Sequence, residues 1–206
     1  MDKIAHHRDA FVSVEATTWF PEDGTPLHVL CWDIDEDDFA DIDRARASVH
    51  DLVAVLRARR ITHALAHPLQ RIGPRLTADH IERCLLLFPI WEGRNGARSR
   101  TGNETAVRIA QAATPEYLAK LSAKHDLPAA GSGSPALTAG SDDHGLIDAA
   151  ATWTETPDAD SVSTLLAHVR MGRATLGGAH GSTAALSHAM VGLAIKAATD
   201  RGHCPV

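Results

Sequence analysis

Residues 138–145 read TAGSDDHG, so two carboxylates and an imidazole follow a short apolar run. Asp142 and His144 are two residues apart, and in an extended turn their side chains point to the same side while Asp143 points to the other. Gly140 and Gly145 flank them and permit a sharp backbone turn at each end. Carboxylates and imidazoles are ligands of Zn²⁺, Mn²⁺ and Fe²⁺. The segment therefore predicts half of a metal site.

Further candidate ligands lie within or at the ends of predicted strands. His67 ends the strand in ITHALAHP, where a proline prevents continuation. Glu15 lies inside the apolar strand VSVEATT, where an unpaired carboxylate is costly, so we expect a metal or a strong hydrogen-bond partner for it. His28 begins the strand LHVLCWDI, whose alternation also permits a solvent-facing histidine. Glu92 and Asn95 follow the next strand, although Glu92 is equally consistent with a surface carboxylate.

The elements that must position these residues can be predicted from hydrophobic periodicity and capping residues. Strands are predicted over residues 10–20, 27–34, 61–68, 89–93 and 135–140. Helices are predicted from Asp37 or Asp38 to Arg60, over 77–88, over 103–113 with Asn103 as N-cap, over 115–125, and near 161–171 and 183–200. Strands that alternate with helices imply a parallel sheet or barrel, whose functional groups gather at the carboxyl ends of the strands.

The composition limits the classes of binding partner that we expect for this chain. The 206 residues suffice for one core, and 20 Lys and Arg against 26 Asp and Glu give a net charge of −6. This acidic balance argues against nucleic acid as a partner. No apolar run approaches the roughly 20 residues that cross a membrane, so we expect no membrane partner. The three cysteines, Cys31, Cys84 and Cys204, are scattered and odd in number, which favours the cytoplasm.

The segments VSVEATT, PLHVLCWDI, ITHALAHPL, IWEGRNG and TAGSDDHG, in this order, resemble the strand-end motifs of the polymerase and histidinol phosphatase (PHP) superfamily of metal-dependent phosphoesterases. The resemblance covers roughly residues 10–155. It implies an α/β fold, a distorted TIM-like β/α barrel of the seven-stranded type. Residues 1–160 would form the PHP-like domain, and residues 161–206 a helical extension of it.

The resemblance also implies site residues and chemistry. It assigns metal ligation to Glu15, His28, His67, Asp142 and His144, and places Arg71, Arg94 and Asn95 near a substrate phosphate. The expected cofactors are divalent ions, Zn, Mn or Fe, about two or three in the complete family site. A metal-bound hydroxide would hydrolyse a small phosphomonoester substrate.

One departure leaves a second function open. PHP enzymes begin with a His-x-His strand and an Asp-His pair, but only fourteen residues precede Glu15 here and AHHRD matches neither motif. We therefore expect a barrel that is incomplete at its N-terminus. The segment TTWFPEDG resembles PHP modules that accompany a glycosyltransferase. The alternative is thus a catalytically impaired module with a structural or regulatory role beside a glycosyltransferase partner. A hydrolase acting on C–N bonds is a third hypothesis, but such enzymes usually use a lysine or a further histidine motif that is not found here.

Overall fold

The computed structural model describes residues 9–70 and 75–201, which form seven strands and seven helices. The strands are β1 (Ser13–Trp19), β2 (Pro26–Trp32), β3 (Thr62–Leu65), β4 (Ile90–Asn95), β5 (Ala136–Gly140), β6 (Thr152–Glu155) and β7 (Thr175–Gly178). The helices are α1 (Glu36–Ala45), α2 (Val49–Ala58), α3 (Ala78–Leu87), α4 (Arg100–Gln111), α5 (Pro115–His125), α6 (Val162–Arg170) and α7 (Thr183–Arg201).

The strands form a mixed five-stranded sheet and a separate pair. The sheet has the order β1-β2-β3-β4-β5, in which β2 is antiparallel to both β1 and β3, while β3, β4 and β5 are parallel. Within residues 9–70 and 75–201, strands β6 and β7 form hydrogen-bonded strand pairing with each other alone, in antiparallel orientation. The region after residue 160 therefore contributes a strand as well as helices.

The prediction of a distorted seven-stranded β/α barrel is wrong, because the strands of the described residues form two sheets and close no barrel. A barrel needs every strand to be hydrogen-bonded on both sides. A tight turn joins β1 to β2 without a crossover helix, and in it Phe20 N–H donates to Thr25 O and Gly24 N–H donates to Phe20 O. Gly24 has a φ of 72°, which favours glycine. Strand β1 is thus an edge of the sheet.

The main core lies on one face of the sheet. Strands β1 and β2 alternate between buried and less buried residues, so Ala16, Val29 and Cys31 point towards the helices. The fully buried aromatic side chains there are Phe20, Phe88 and Trp91. The opposite face has a smaller buried cluster of Ala64, Ile90 and Val169, the last from α6. The β1–β2 end of this second face carries polar side chains that remain accessible.

The segment that was predicted as a single helix ending at Arg60 forms two helices, α1 and α2. α1 ends at the C-cap Arg46, and α2 begins after Ser48, whose side chain accepts a hydrogen bond from Asp51 N–H. Ile42 and Leu52 are both buried, so the apolar positions continue across the break on the side of the core. Hydrophobic periodicity alone therefore does not reveal the interruption.

The remaining predictions have mixed outcomes. Helices α3, α5, α6 and α7 confirm the predicted helices, but α4 begins at Arg100 after the N-cap Ser99, so Asn103 is an interior helix residue and not the N-cap. Strands β6 and β7 were not predicted, because four-residue polar segments carry little periodicity. Among the described helices, none combines the length and apolar character needed to cross a membrane.

The break between α1 and α2 at Ser48 can be tested by the direction in which one substitution changes the free energy of unfolding. We expect Ser48→Ala to lower the free energy of unfolding by about 1 kcal/mol, because an N-cap acceptor is lost. In a continuous helix the same change would stabilise by a few tenths of a kcal/mol. Urea denaturation measures the difference, with Ser122→Ala inside α5 as the control that should not destabilise. A gain from Ser48→Ala would contradict the two-helix structure.

Candidate metal centre

The directions of the strands bring one end of β2 to the edge where β1 and β3 finish. His28, early in β2, pairs with Thr17, late in β1, and its carbonyl accepts a hydrogen bond from Ala66 N–H just after β3. Because β3, β4 and β5 are parallel, their carboxyl ends meet at the same edge. The residues that the sequence places at the strand ends therefore meet at one edge, and His28 reaches this edge from the beginning of its strand.

At this edge Glu15, His28 and His67 come together and form the metal-ligand group. Glu15 Oε1 lies 2.6 Å from His28 Nδ1 and 3.2 Å from His67 Nε2. The two imidazole rings are 5.0 Å apart and nearly perpendicular. The side chain of His67 is 4% exposed, whereas those of His28 and Glu15 are 25% and 37% exposed. The group therefore opens to solvent on the side of the first two strands.

These three side chains fit a divalent metal ion. One ligand atom from each lies within 4.8 Å of the others, so all three are within reach of a single ion. One carboxylate and two imidazoles form a ligand set used by catalytic zinc sites, which keep further positions for water or substrate. The close contact with His28 and the hydrogen bond with His67 hold the pKa of Glu15 well below its usual range, so this side chain stays anionic.

A buried carboxylate, Glu92, holds the backbone of His67 in place. Glu92 Oε2 accepts hydrogen bonds from His67 N–H at 2.7 Å and from Asn95 Nδ2 at 2.9 Å. His67 has a φ of 27°, which is rare for a residue with a side chain, and the bond to Glu92 helps to maintain it. Burial raises the pKa of Glu92 to about 7, despite the opposing effect of the two hydrogen bonds.

Asp142 belongs to the same edge but not to the metal-ligand group. Its Oδ2 accepts hydrogen bonds from Asn95 Nδ2 at 3.1 Å and from Arg98 Nη2 at 2.9 Å. Asp142 is therefore connected to His67 through Asn95 and Glu92, and it is already neutralised by an arginine. In the described residues it does not come within 4.8 Å of the three ligand atoms.

The rest of the TAGSDDHG turn is arranged differently from the prediction. His144 is exposed, with Nδ1 at 3.1 Å from the Asp142 carbonyl oxygen, and it does not join the metal-ligand group. The left-handed residue of the turn is Asp142, with a φ of 48°, and not a glycine. Gly145 is instead needed for close packing, because a Cβ there would lie 2.9 Å from the His188 carbonyl oxygen.

Arg98, which sequence reasoning missed, lines a cavity beside the metal-ligand group. The cavity is about 140 Å³, and its walls include His67, Glu92, Ser99 and Asn103. The Arg98 Nε atom is buried and has no hydrogen-bond partner among the described residues. A buried N–H of a guanidinium without an acceptor is costly, so this group is suited to receive an anion in the cavity.

The three residues expected near a substrate phosphate have different positions. Asn95 lies in the hydrogen-bond network of Glu92 and Asp142. Arg94 does not reach it, because a β-bulge between Glu92 and Arg94 turns these two side chains to opposite faces of the sheet. Its Nη1 donates to Gly178 O at 2.9 Å. Arg71 lies outside the described residues.

Asn103 is the second residue that sequence reasoning missed in this role. Its side chain is buried, with Oδ1 accepting from Asn95 N–H at 3.1 Å and Nδ2 donating to Asn95 O at 2.9 Å. These two bonds complete the backbone pairing of Asn95 at the end of β4. The sequence signal for this role is an asparagine near the start of a helix, a position that also fits the N-cap prediction.

A second group with metal-ligand chemistry is an ion-pair network. Asp79, Glu82 and His125 offer ligand atoms within 4.8 Å of one another. Lys124 Nζ already lies 2.7 Å from Asp79 and 2.6 Å from Glu82, and His125 Nε2 lies 2.6 Å from Glu82. The lysine supplies the positive charge that an ion would supply, so this group joins α3 to α5.

Neither the comparison with protein-family models nor the search of curated proteins found a match to this chain.

The buried Glu92 predicts a pH dependence of stability in metal-free protein. Its pKa rises on folding from 4.5 to about 7, so the folded state binds more protons in this range and stability falls as pH rises through it. Glu92→Gln keeps an oxygen acceptor but does not titrate. We expect the variant to gain up to about 3 kcal/mol relative to the original chain between pH 5 and pH 8.

Urea denaturation at a series of pH values, with a chelator present, measures this difference. The control is Glu155→Gln, which alters an exposed carboxylate of β6 and should show no such trend. A difference between Glu92→Gln and the original chain that stays constant with pH would show that Glu92 titrates normally.

Proposed function

We propose that this chain is a metal-dependent phosphoesterase whose metal ion is held by Glu15, His28 and His67. The observation that carries the proposal is the convergence of one carboxylate oxygen and two imidazole nitrogens at a partly exposed sheet edge. The resemblance of the strand-end motifs to the PHP superfamily supports the same chemistry. The substrate class that follows is a small phosphomonoester.

The three ligands and their supports have distinct tasks in this proposal. A divalent ion bound there would supply a water molecule of lowered pKa and would polarise a phosphoryl oxygen. Glu15 would contribute a carboxylate oxygen, and His28 and His67 would each contribute one imidazole nitrogen. Glu92 and Asn95 keep His67 in position from behind, as groups around a metal site commonly do for its ligands.

Arg98 is the residue that we propose to orient the phosphate. Its guanidinium lines the cavity beside His67 and Glu92, and its buried Nε hydrogen is a donor without an acceptor among the described residues. A guanidinium can bind two phosphate oxygens at once because its donors form a planar fork. Asp142 would then restrain Arg98 and thereby aim this fork. Arg71 stays a prediction from the resemblance.

A second candidate function is a metal-binding module without hydrolytic activity, in a structural or regulatory role beside a glycosyltransferase. The observation that favours it is that the described residues bring only three of the five predicted ligands together, while Asp142 is paired with Arg98 and His144 is exposed. The two candidates share the metal site and differ in turnover, so one measurement separates them.

Metal content is the first test of the proposal. We expect the purified chain to bind zinc, manganese or iron, and Glu15→Gln to weaken this binding by at least about tenfold, since changes even behind the ligands cost tenfold or more. Mass spectrometry of the protein after dialysis against known metal concentrations measures the affinity. The matched control is Glu155→Gln. Equal metal binding by Glu15→Gln and the control would remove Glu15 from the site.

Turnover is the second test. With the metal restored, we expect hydrolysis of para-nitrophenyl phosphate that Glu15→Gln abolishes. We expect Arg98→Ala to raise KM and lower kcat/KM by roughly tenfold to a hundredfold, because a charged hydrogen bond to the phosphate is lost. Metal that binds to Glu15, His28 and His67 without any hydrolysis of small phosphomonoesters would support the second candidate instead.

A further inference from the structure

A second cavity, of about 410 Å³, lies on the other side of β4, between α4 and β7. We call it the basic cavity, and it is lined by Arg94, Arg100, Arg108, His180, Val107 and Leu176. Glu15, His28 and His67 are not among its lining residues, so it is separate from the metal-ligand group. The bulge in β4 is the reason that Arg94 reaches this side.

The positive charge of this cavity is only partly compensated. The acid in its lining is Glu104, whose Oε1 lies 3.6 Å from Arg100 Nη1 between two exposed side chains. Arg94 Nη1 donates to a backbone carbonyl, and Arg108 Nη2 donates to the Thr105 hydroxyl, and neither acceptor carries a charge. Among the described lining residues, three arginines against one glutamate therefore leave two positive charges, in a chain whose net charge is −6.

The buried side chain of Asn103 holds the ring of His180, the histidine of the basic cavity. Asn103 Nδ2 donates to the Asn95 carbonyl, which identifies this atom as the amide nitrogen, and it also lies 3.0 Å from His180 Nδ1. His180 Nδ1 is therefore the acceptor, and its Nε2 carries the hydrogen. Desolvation, and then the charges of Arg100 and Arg94, lower the pKa of His180, so the ring is a neutral donor at pH 7.

The approach to His180 is built by close backbone packing. Gly181 N–H donates to Arg98 O at 2.7 Å, and a Cβ on Gly181 would lie 2.6 Å from the Ala97 and Arg98 backbone. The glycine-rich segment before α7 therefore places His180 against α4.

The floor of the cavity is apolar. Val107 and Leu176 lie so close to Gly93 that a Cβ there would be 3.0 Å from each of their side chains. A surface of this kind contacts the apolar or ring portion of a small molecule, while guanidinium groups at the rim bind its anionic group.

We propose that the basic cavity is a binding site for a small organic phosphate, with the phosphate between Arg94, Arg100 and Arg108 and a compact apolar or ring portion on Val107 and Leu176. Two uncompensated positive charges match the dianion of a phosphomonoester. His180 donates a further hydrogen bond from Nε2. This site goes beyond the proposed function, because it needs neither the metal nor the metal ligands.

The test is calorimetric titration of phenyl phosphate into the full chain with a chelator present, so that binding at the metal-ligand group does not contribute. We expect saturable binding, and we expect Arg100→Ala/Arg108→Ala to weaken it by at least about tenfold. Both side chains are exposed, so the double variant should fold. The matched control is Arg44→Ala on α1, where the arginine is 75% exposed and pairs with Asp41, and it should bind like the original chain.

Glu104→Gln gives a result that misfolding cannot imitate. Removal of the competing carboxylate should tighten phenyl phosphate binding by about twofold to fivefold. Phenyl phosphate should also bind more tightly than inorganic phosphate, because the ring contacts the apolar floor.

Absence of saturable binding, equal affinity in the double variant and the original chain, or a loss of affinity in Glu104→Gln would overturn the site. Equal affinity for the two probes would overturn the role of the apolar floor. None of these outcomes bears on metal binding or hydrolysis at Glu15, His28 and His67, which are measured separately.

Discussion

The antiparallel run of β2 between β1 and β3 determines where the candidate ligands lie. In an antiparallel pair the beginning of one strand is adjacent to the end of its neighbour, so His28 at the start of β2 comes beside residues late in β1 and after β3. Glu15 and His28 then project from the same face of neighbouring strands, and His67 reaches them from the end of the third. If β2 ran in the opposite direction, His28 would lie at the far edge.

A single buried carboxylate connects this edge to the interior. Glu92 gives up hydration on burial and recovers part of that cost by accepting hydrogen bonds from His67 N–H and Asn95 Nδ2. Asn95 is in turn held by Asn103 and donates to Asp142. Hydrogen bonds of polar side chains therefore connect the end of β3 to β4 and the end of β4 to the turn after β5. This network also supports the unusual backbone angle of His67.

One extra residue in β4 places the side chains of Glu92 and Arg94 on opposite faces of the sheet. In a regular strand Glu92 and Arg94 would point to the same side, whereas the bulge between them sends Arg94 towards α4 and β7. The carboxylate thus stays with the histidines, and the arginine joins a region rich in positive charge. Asn103 lines both the cavity beside His67 and the basic cavity, so a single side chain lies between the two.

The sequence by itself determined the types of residue at the strand ends and most of the elements that carry them. Local patterns suffice for that, because a strand such as ITHALAHP is recognised from its own alternation and its proline, and a helix such as α5 from its own cap. The same patterns predicted His67 as the end of its strand and Glu15 as a carboxylate in need of a partner. In the structure the strand ends at Leu65, so His67 lies just beyond it, and Glu15 has His28 and His67 as partners.

Tertiary structure alone decided the pairing of the strands, and with it the outcome at each site residue. The barrel prediction failed because strand direction and sheet closure depend on contacts between distant segments, which periodicity does not contain. Asp142 and His144 have the right chemistry but lie beside Arg98 and solvent instead of the metal-ligand group. Arg98 and Asn103 acquired their roles only through folding, which pairs Arg98 with Asp142, 44 residues further along the chain, and buries Asn103 against the backbone of Asn95.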